Sequence, residues 1–241
     1  MSLLDKSKEK FIQILLENNL MNEEIEIISA KTLTPYQAVG QPERDDYPIL
    51  KGKEVLIEAT FKNSKGQAYT DEPGSYKGKL KDILDLELTN NFERAILIAT
   101  MNTVLKYLGL IGATIHCKNE ELGICANQLV NYIGEHHGNP SIGLIGLQPG
   151  MAQALSKSFS IRIVDLDKDN FNKVFNDAVV EGPGATEDII ENCELIVATG
   201  STVVNDTIDE LLSEKDVIFY GTTVAAIAYL NDLTRFCYSA E

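Results

Sequence analysis

Three short polar segments and a group of thiol and imidazole side chains are the parts of this 241-residue sequence whose residue types could do chemistry. The first segment, Gly143-Leu-Ile-Gly146-Leu-Gln-Pro-Gly150, follows an apolar run, so its glycines allow a tight strand-to-helix turn with backbone N–H groups facing a ligand. Asp165 comes 19 positions after Gly146, about where a ribose-binding acid sits in dinucleotide folds. Gln148, however, stands where the second glycine of that fingerprint would let a pyrophosphate lie against the backbone. The spacing therefore leaves two readings open, a small-ligand loop and a glycine-shaped turn with no ligand.

The second segment, Thr199-Gly200-Ser201-Thr202, leads into Asn205 and Thr207. Hydroxyls converging with backbone N–H groups can hold a carboxylate or a phosphate, whereas an ordinary helix cap would explain only one of them. The third, Gly221-Thr222-Thr223, repeats the style after the last long apolar run. A different chemistry is offered by His116, Cys117 and Cys125, since imidazole and thiolate are donors that transition metals prefer. Their spacing is not that of a zinc finger, and Cys125 can equally be read as a small buried apolar residue. His136 and His137 read as the end of a helix beside Gly138, about 16 Å from Cys125 at 1.5 Å per residue, too far to share an ion with it. Cys193 and Cys237 read as core. The sequence contains no Gly-x-Ser-x-Gly, Walker loop or His-Glu-x-x-His pattern, so no hydrolase, P-loop kinase or zincin is indicated.

These residues need elements to position them. Leu3 to Asn18 reads as an amphipathic helix, and Glu24 to Leu33, Glu54 to Phe61 and a short Gln67 to Thr70 read as strands. Lys79 to Leu88 and Phe92 to Leu108 read as helices, which gives an α+β unit. After Ala113 the pattern changes. A brief strand end at Thr114 to Cys117 and a helix at Glu120 to His136 precede near-continuous apolar strands at Ser141 to Leu147, Ile161 to Leu166, Glu194 to Thr199 and Asp216 to Tyr220. Helices are expected between them at Gly150 to Lys157, Thr186 to Asn192, Val203 to Leu212 and Thr223 to Leu230. Strands apolar on both faces suit a parallel sheet covered by helices on each side. The expected fold class is α/β, with an α+β domain over 1–112 and a Rossmann-like, doubly wound domain over 113–241.

Twenty-one Lys and Arg against 36 Asp and Glu give a net charge of -15, which repels nucleic acid and anionic membranes. With no signal-like N-terminus, no long apolar run and four scattered cysteines, the expectation is a cytoplasmic protein with free thiols. Homodimerisation is expected only as the commonest symmetric assembly.

The words Gly-Leu-Gln-Pro-Gly-Met-Ala-Gln-Ala at 146–154 and Ala-Thr-Gly-Ser-Thr-Val-Val-Asn-Asp-Thr at 198–207 resemble those of the putative heavy-metal chelation family. Thr199, Gly200, Asn205 and Thr207 carry the most specific part of the match. Gly221-Thr-Thr223 looks like the family's Gly-Pro-Ser-Thr loop without its proline. The resemblance implies an enolase-N-terminal-like domain joined to a Rossmann-like one, with a site in the cleft between them. It does not imply enolase chemistry, because the barrel carrying that enzyme's metal ligands is absent. The expectation is a small anionic ligand or metal chelate bound by Gly146, Gly150, Asp165, Thr199, Gly200, Ser201, Thr202, Asn205, Thr207 and Thr222, with His116, Cys117 and Cys125 as donors to a transition metal ion. The alternative is an enzyme using a nucleotide-type cofactor of the NAD or S-adenosylmethionine class; a third reading is a non-catalytic subunit docking a basic partner.

Overall fold

The computed structural model of the chain describes residues 1–29, 35–212 and 215–241, apart from the side chains of residues 27–29 and 37. Two sheets organise it. The first is fully antiparallel, in the order β3-β2-β1-β4, built from β1 (Glu24–Ser29), β2 (Val55–Phe61), β3 (Ser64–Thr70) and β4 (Tyr76–Lys79). The β2–β3 hairpin closes over Lys62 and Asn63, with Phe61 paired to Ser64, so its turn is tighter and β3 longer than the sequence suggested. The expected strand from Glu24 ends at Ser29; its remainder over 30–33 lies outside the described residues.

Helix α1 (Leu3–Glu17) starts at a reciprocal cap between Ser2 and Asp5 and buries Leu3, Leu4, Phe11 and Leu15. A short helix α2 (Pro35–Val39) follows β1, and α3 (Leu80–Leu84) is a single turn rather than the ten residues expected. The helix that matters most to the site is α4 (Asn91–Tyr107), capped by Asn90 and buried continuously from Ala95 to Leu105. It lies against β3 so closely that a Cβ on Gly66 would stand 2.3 Å from the Thr103 amide nitrogen.

The second sheet has seven strands in the order β11-β10-β9-β5-β6-β8-β7, from β5 (Ile142–Ile145), β6 (Ile161–Val164), β7 (Val174–Phe175), β8 (Ala178–Glu181), β9 (Leu195–Thr199), β10 (Val217–Tyr220) and β11 (Arg235–Phe236). All pairs are parallel except β7 with β8. Alternate residues feed opposite faces. Leu144, Leu195, Val197 and Ile218 pack under α5 (Glu121–His137) and α6 (Pro149–Ser158). Ile145, Ile196, Ala198 and Phe219 join α7 (Thr186–Asn192), α8 (Ala225–Asn231) and the residues of α1 and α4 in one core. The N-terminal helices thus complete the covering of the second sheet, and this core runs continuously between the two sheets.

Two expected elements differ. Residues 114–117 form no strand: the Thr114 carbonyl accepts from the Gln67 amide at 3.0 Å, while the Thr114 and Ile115 amides bond Glu241. The expected helix over Val203 to Leu212 is two 3-10 turns, Gly200–Val203 and Ile208–Leu211. Asp206 adopts a left-handed φ of 60°, and the Thr207 amide bonds back to the Thr202 carbonyl at 2.9 Å, which ends the first turn as a Schellman motif ends a helix. No helix among the described residues is long and apolar enough to cross a membrane.

Candidate functional site

In the second sheet, β5 lies between β9 and β6, so the chain leaves the middle of the sheet in opposite directions from neighbouring strands. The carboxyl ends of β5 and β9 are therefore the switch point where open parallel sheets hold ligands. Gly146 ends β5 with a left-handed φ of 85°, and a Cβ there would lie 2.4 Å from Thr199 Cγ2. Only glycine lets the two loops meet at this distance. The first sheet and α4 close over that point, leaving a cleft of about 800 Å³.

Thr199, Gly200, Ser201, Thr202, Asn205 and Thr207 all line the cleft. Some of their groups are spent on holding the loop: Thr202 Oγ1 donates to the Thr199 carbonyl at 2.8 Å, and Thr199 Oγ1 accepts from the Ser201 amide at 3.3 Å. Others keep a donor to spare. Ser201 Oγ only accepts, at 3.5 Å from Thr199, and Thr223 Oγ1 accepts from the Tyr69 amide at 3.1 Å. Thr222 is 1% exposed and its hydroxyl has no partner among the described residues; Thr222 also lines the cleft. Burying a hydroxyl without a partner costs about 1–3 kcal/mol, and the hydroxyls of Thr100 and Thr103 on α4, outside the cleft, are buried without a partner among the described residues as well.

The loop carrying Thr222 and Thr223 is fastened from α4 by Asn102, which the sequence reading missed. Its Nδ2 donates to the carbonyls of Gln67 (2.9 Å), Thr222 (3.2 Å) and Thr223 (3.2 Å), and its Oδ1 accepts from the Ala226 amide (2.8 Å). A polar residue between Thr100 and Thr103 in an otherwise apolar stretch of helix gives no hint of this in sequence.

Asp165 and Gly150 have roles unlike those of a dinucleotide fold. Asp165 lines the cleft, but its Oδ2 accepts from the Leu147 amide at 2.6 Å and its Oδ1 from the Asp167 amide and Asn170 Nδ2. The carboxylate ties the loop after β6 to the loop after β5. Gly150 lies outside the main cleft, in a small side recess, and a Cβ there would lie 2.8 Å from the Tyr47 hydroxyl. Gln148 caps α6 through its Oε1 to the Met151 amide. The side chains of Tyr47 and Gln148 thus pack against the start of α6 at Gly150.

His116, Cys117 and Cys125 do reach the same cleft, joined there by Cys237. All four cysteines are free thiols, and Cys193 is buried as expected. Burial pushes the Cys117 and Cys237 thiols up and holds the His116 imidazole below its ordinary range. His116 Nδ1 donates to the Cys117 carbonyl at 2.7 Å, leaving Nε2 as an acceptor. Among the described residues no group of three or more His, Cys, Asp or Glu side chains is arranged to hold a metal ion. The three expected donors line the cleft, and among the described residues they form no three-donor ligand set.

Glu54 was also missed, because a charged residue at the start of an expected strand looks like ordinary solvated surface. It immediately precedes β2 and lines the cleft. Burial raises its carboxyl to about 7, with Asp165, Asp71 and Asp167 adding like-charge repulsion. It has no hydrogen-bond partner among the described residues. Beside it, Lys53 Nζ bridges Asp167 and Asp169 at 2.6 Å each across the cleft mouth. Tyr69 and Tyr220 flank the site, their hydroxyls pushed up by burial, and Tyr220 donates to the Gly146 carbonyl at 3.0 Å.

The comparisons with known proteins agree with this architecture. The model of the DUF364 family, described as "Putative heavy-metal chelation", matches residues 132–233, which include β5, β9 and the loops at their ends. A DUF364 protein of unknown function from Pyrococcus horikoshii has a similar fold (TM-score 0.54, 16% identity, 92% of this chain and 79% of that one). Another from Desulfitobacterium hafniense DCB-2 matches with TM-score 0.48 and 14% identity over 76% of this chain and 73% of that one. No curated protein matches. The sequence over 132–233 and the fold over nearly the whole chain are thus similar to those of the putative heavy-metal chelation family.

Proposed function

We propose that the cleft between the two sheets binds a small anionic ligand or a metal chelate rather than a bare ion. The observation that carries the reading is the wall formed by Ser201, Asn205, Thr222 and Thr223. Each carries a hydroxyl or amide hydrogen that no partner among the described residues uses, and all four border one cavity at the switch point, Ser201 and Asn205 at its surface and the buried Thr222 and Thr223 just beneath it. Such donors suit carboxylate oxygens. The lack of a three-donor group among the described residues favours an ion that arrives with its own ligands. His116 Nε2 and the thiol wall would then be contacts to the chelate.

The test is an affinity measurement with nitrilotriacetate and its zinc complex on the unmutated protein and Asn205→Ala. Weaker binding by tenfold or more with a nearly unchanged melting temperature is expected. Unchanged binding with a large loss of stability would make Asn205 a structural residue and count against the wall as the site.

A further inference from the structure

The wall of donors answers one end of a ligand; Glu54, just ahead of β2, calls for a different group. The groups around Glu54 are Asp71 beyond the end of β3, Asp165 and Asp167 from the loop after β6, Tyr69 from β3 and Tyr220 from β10. None is a cation. The neighbouring cation, Lys53, points to Asp167 and Asp169. A carboxyl without a hydrogen-bond partner, in a cavity that also leaves the Ser201 hydroxyl hydrogen and the Asn205 side-chain amide hydrogens unused, is a site short of a donor on one side and of an acceptor on the other. A ligand with carboxylates alone would meet the donors and leave Glu54 facing more negative charge.

We propose that the ligand carries a protonated nitrogen beside its carboxylates, as an aminocarboxylate chelator does when free of metal, and that this nitrogen pairs with the ionised Glu54 carboxylate. The inference rests on the proposed binding at the Ser201, Asn205, Thr222 and Thr223 wall and adds the charge of the ligand's other end. Pairing with a cation favours the ionised carboxylate, so binding draws Glu54 into its charged form and releases its proton. The ligand then selects the fraction of protein in which Glu54 is already ionised. With the free carboxyl at about 7, that fraction is roughly tenfold smaller at pH 6 than at pH 8.

Iminodiacetate and diglycolate test this directly. They match in length and carry the same two carboxylates, but one has a protonated nitrogen where the other has an ether oxygen. Titrating ¹⁵N-labelled protein while following the amides of Gly200, Ser201 and Thr202 should show iminodiacetate binding at least tenfold more tightly at pH 8. Its affinity should fall about tenfold at pH 6, and Glu54→Gln should remove both the preference and the pH dependence while leaving diglycolate binding no weaker. Equal binding of the two compounds to the unmutated protein, indifferent to Glu54→Gln, would overturn the inference and leave the carboxylate wall standing. Binding of neither would overturn the wall and the inference with it. Glu54→Gln keeps the shape of the side chain, and a native thermal transition for that variant separates lost recognition from lost folding.

Discussion

Gly146 and Thr199 touch at the ends of two neighbouring parallel strands, so closely that a single methyl group on Gly146 would lie 2.4 Å from Thr199 Cγ2. This contact sets the floor of the cleft, because it brings the loop after β5 and the loop after β9 to one point under Glu54. Gly146→Ala would combine a left-handed backbone with overpacking, an expected loss of about 2–4 kcal/mol. Thr199→Ser removes the opposing methyl, so the double variant should recover the packing part and keep only the backbone part. Equal denaturation midpoints for single and double variants would show that the methyl contact does not matter.

Asn102 joins the two halves of the cleft by bonds to both the first sheet and the loop after β10. Asn102→Ala should destabilise by about 2–4 kcal/mol, because several buried backbone groups lose their partner at once. Amide exchange at Thr222 to Ala226 should accelerate more than exchange in α5. Uniform acceleration over the whole chain would mean that the residue stabilises the fold without fixing the loop.

Thr222 gives the opposite sign. Its buried hydroxyl lacks a partner among the described residues, so the isosteric Thr222→Val should raise the melting temperature of the free protein. A stability gain of about 1 kcal/mol is the expected scale. A loss of stability would show that the hydroxyl is satisfied in solution.

Glu54 makes stability depend on pH. Its folded value, about 7, lies above the ordinary 4.5, so the folded state holds the proton more tightly than the unfolded chain does. Stability is therefore greatest below about pH 4.5 and declines as the pH rises to about 7, by on the order of 3 kcal/mol from this group. Glu54→Gln, which stays neutral, should melt higher than the unmutated protein at pH 8 and differ little at pH 5. A lower melting temperature at pH 8 would mean that the carboxylate is paired in the folded protein.

Much of the framework was legible in sequence where burial on both faces leaves continuous apolar runs, as in Ile142–Ile145 and Leu195–Thr199. The amphipathic α1 and α5 were legible because burial on one face leaves an apolar stripe at helical spacing, and Gly138 marked the end of α5. The two-residue strands β7 and β11 and the four-residue β4 were not, because edge pairing that short leaves no periodicity to read. The stretch after Thr202 looked helical because its apolar residues are spaced helically; the left-handed Asp206 decides otherwise. Of the expected site residues, all but Gly150 reach the cleft, since strand ends in a doubly wound sheet converge by topology. Glu54, just ahead of β2, and Asn102, on α4, lie far from the switch point in sequence, and their contribution exists only once tertiary contacts bring the first sheet and α4 over it.

The most direct measurement of the central claim is an amide-shift map of ¹⁵N-labelled protein titrated with nitrilotriacetate, free and as its zinc complex. The account predicts saturable shifts confined to the loops at 146–148, 199–207 and 221–223 and to Glu54. Shifts centred on His136 and His137 at the end of α5, or no saturable shifts, would contradict it.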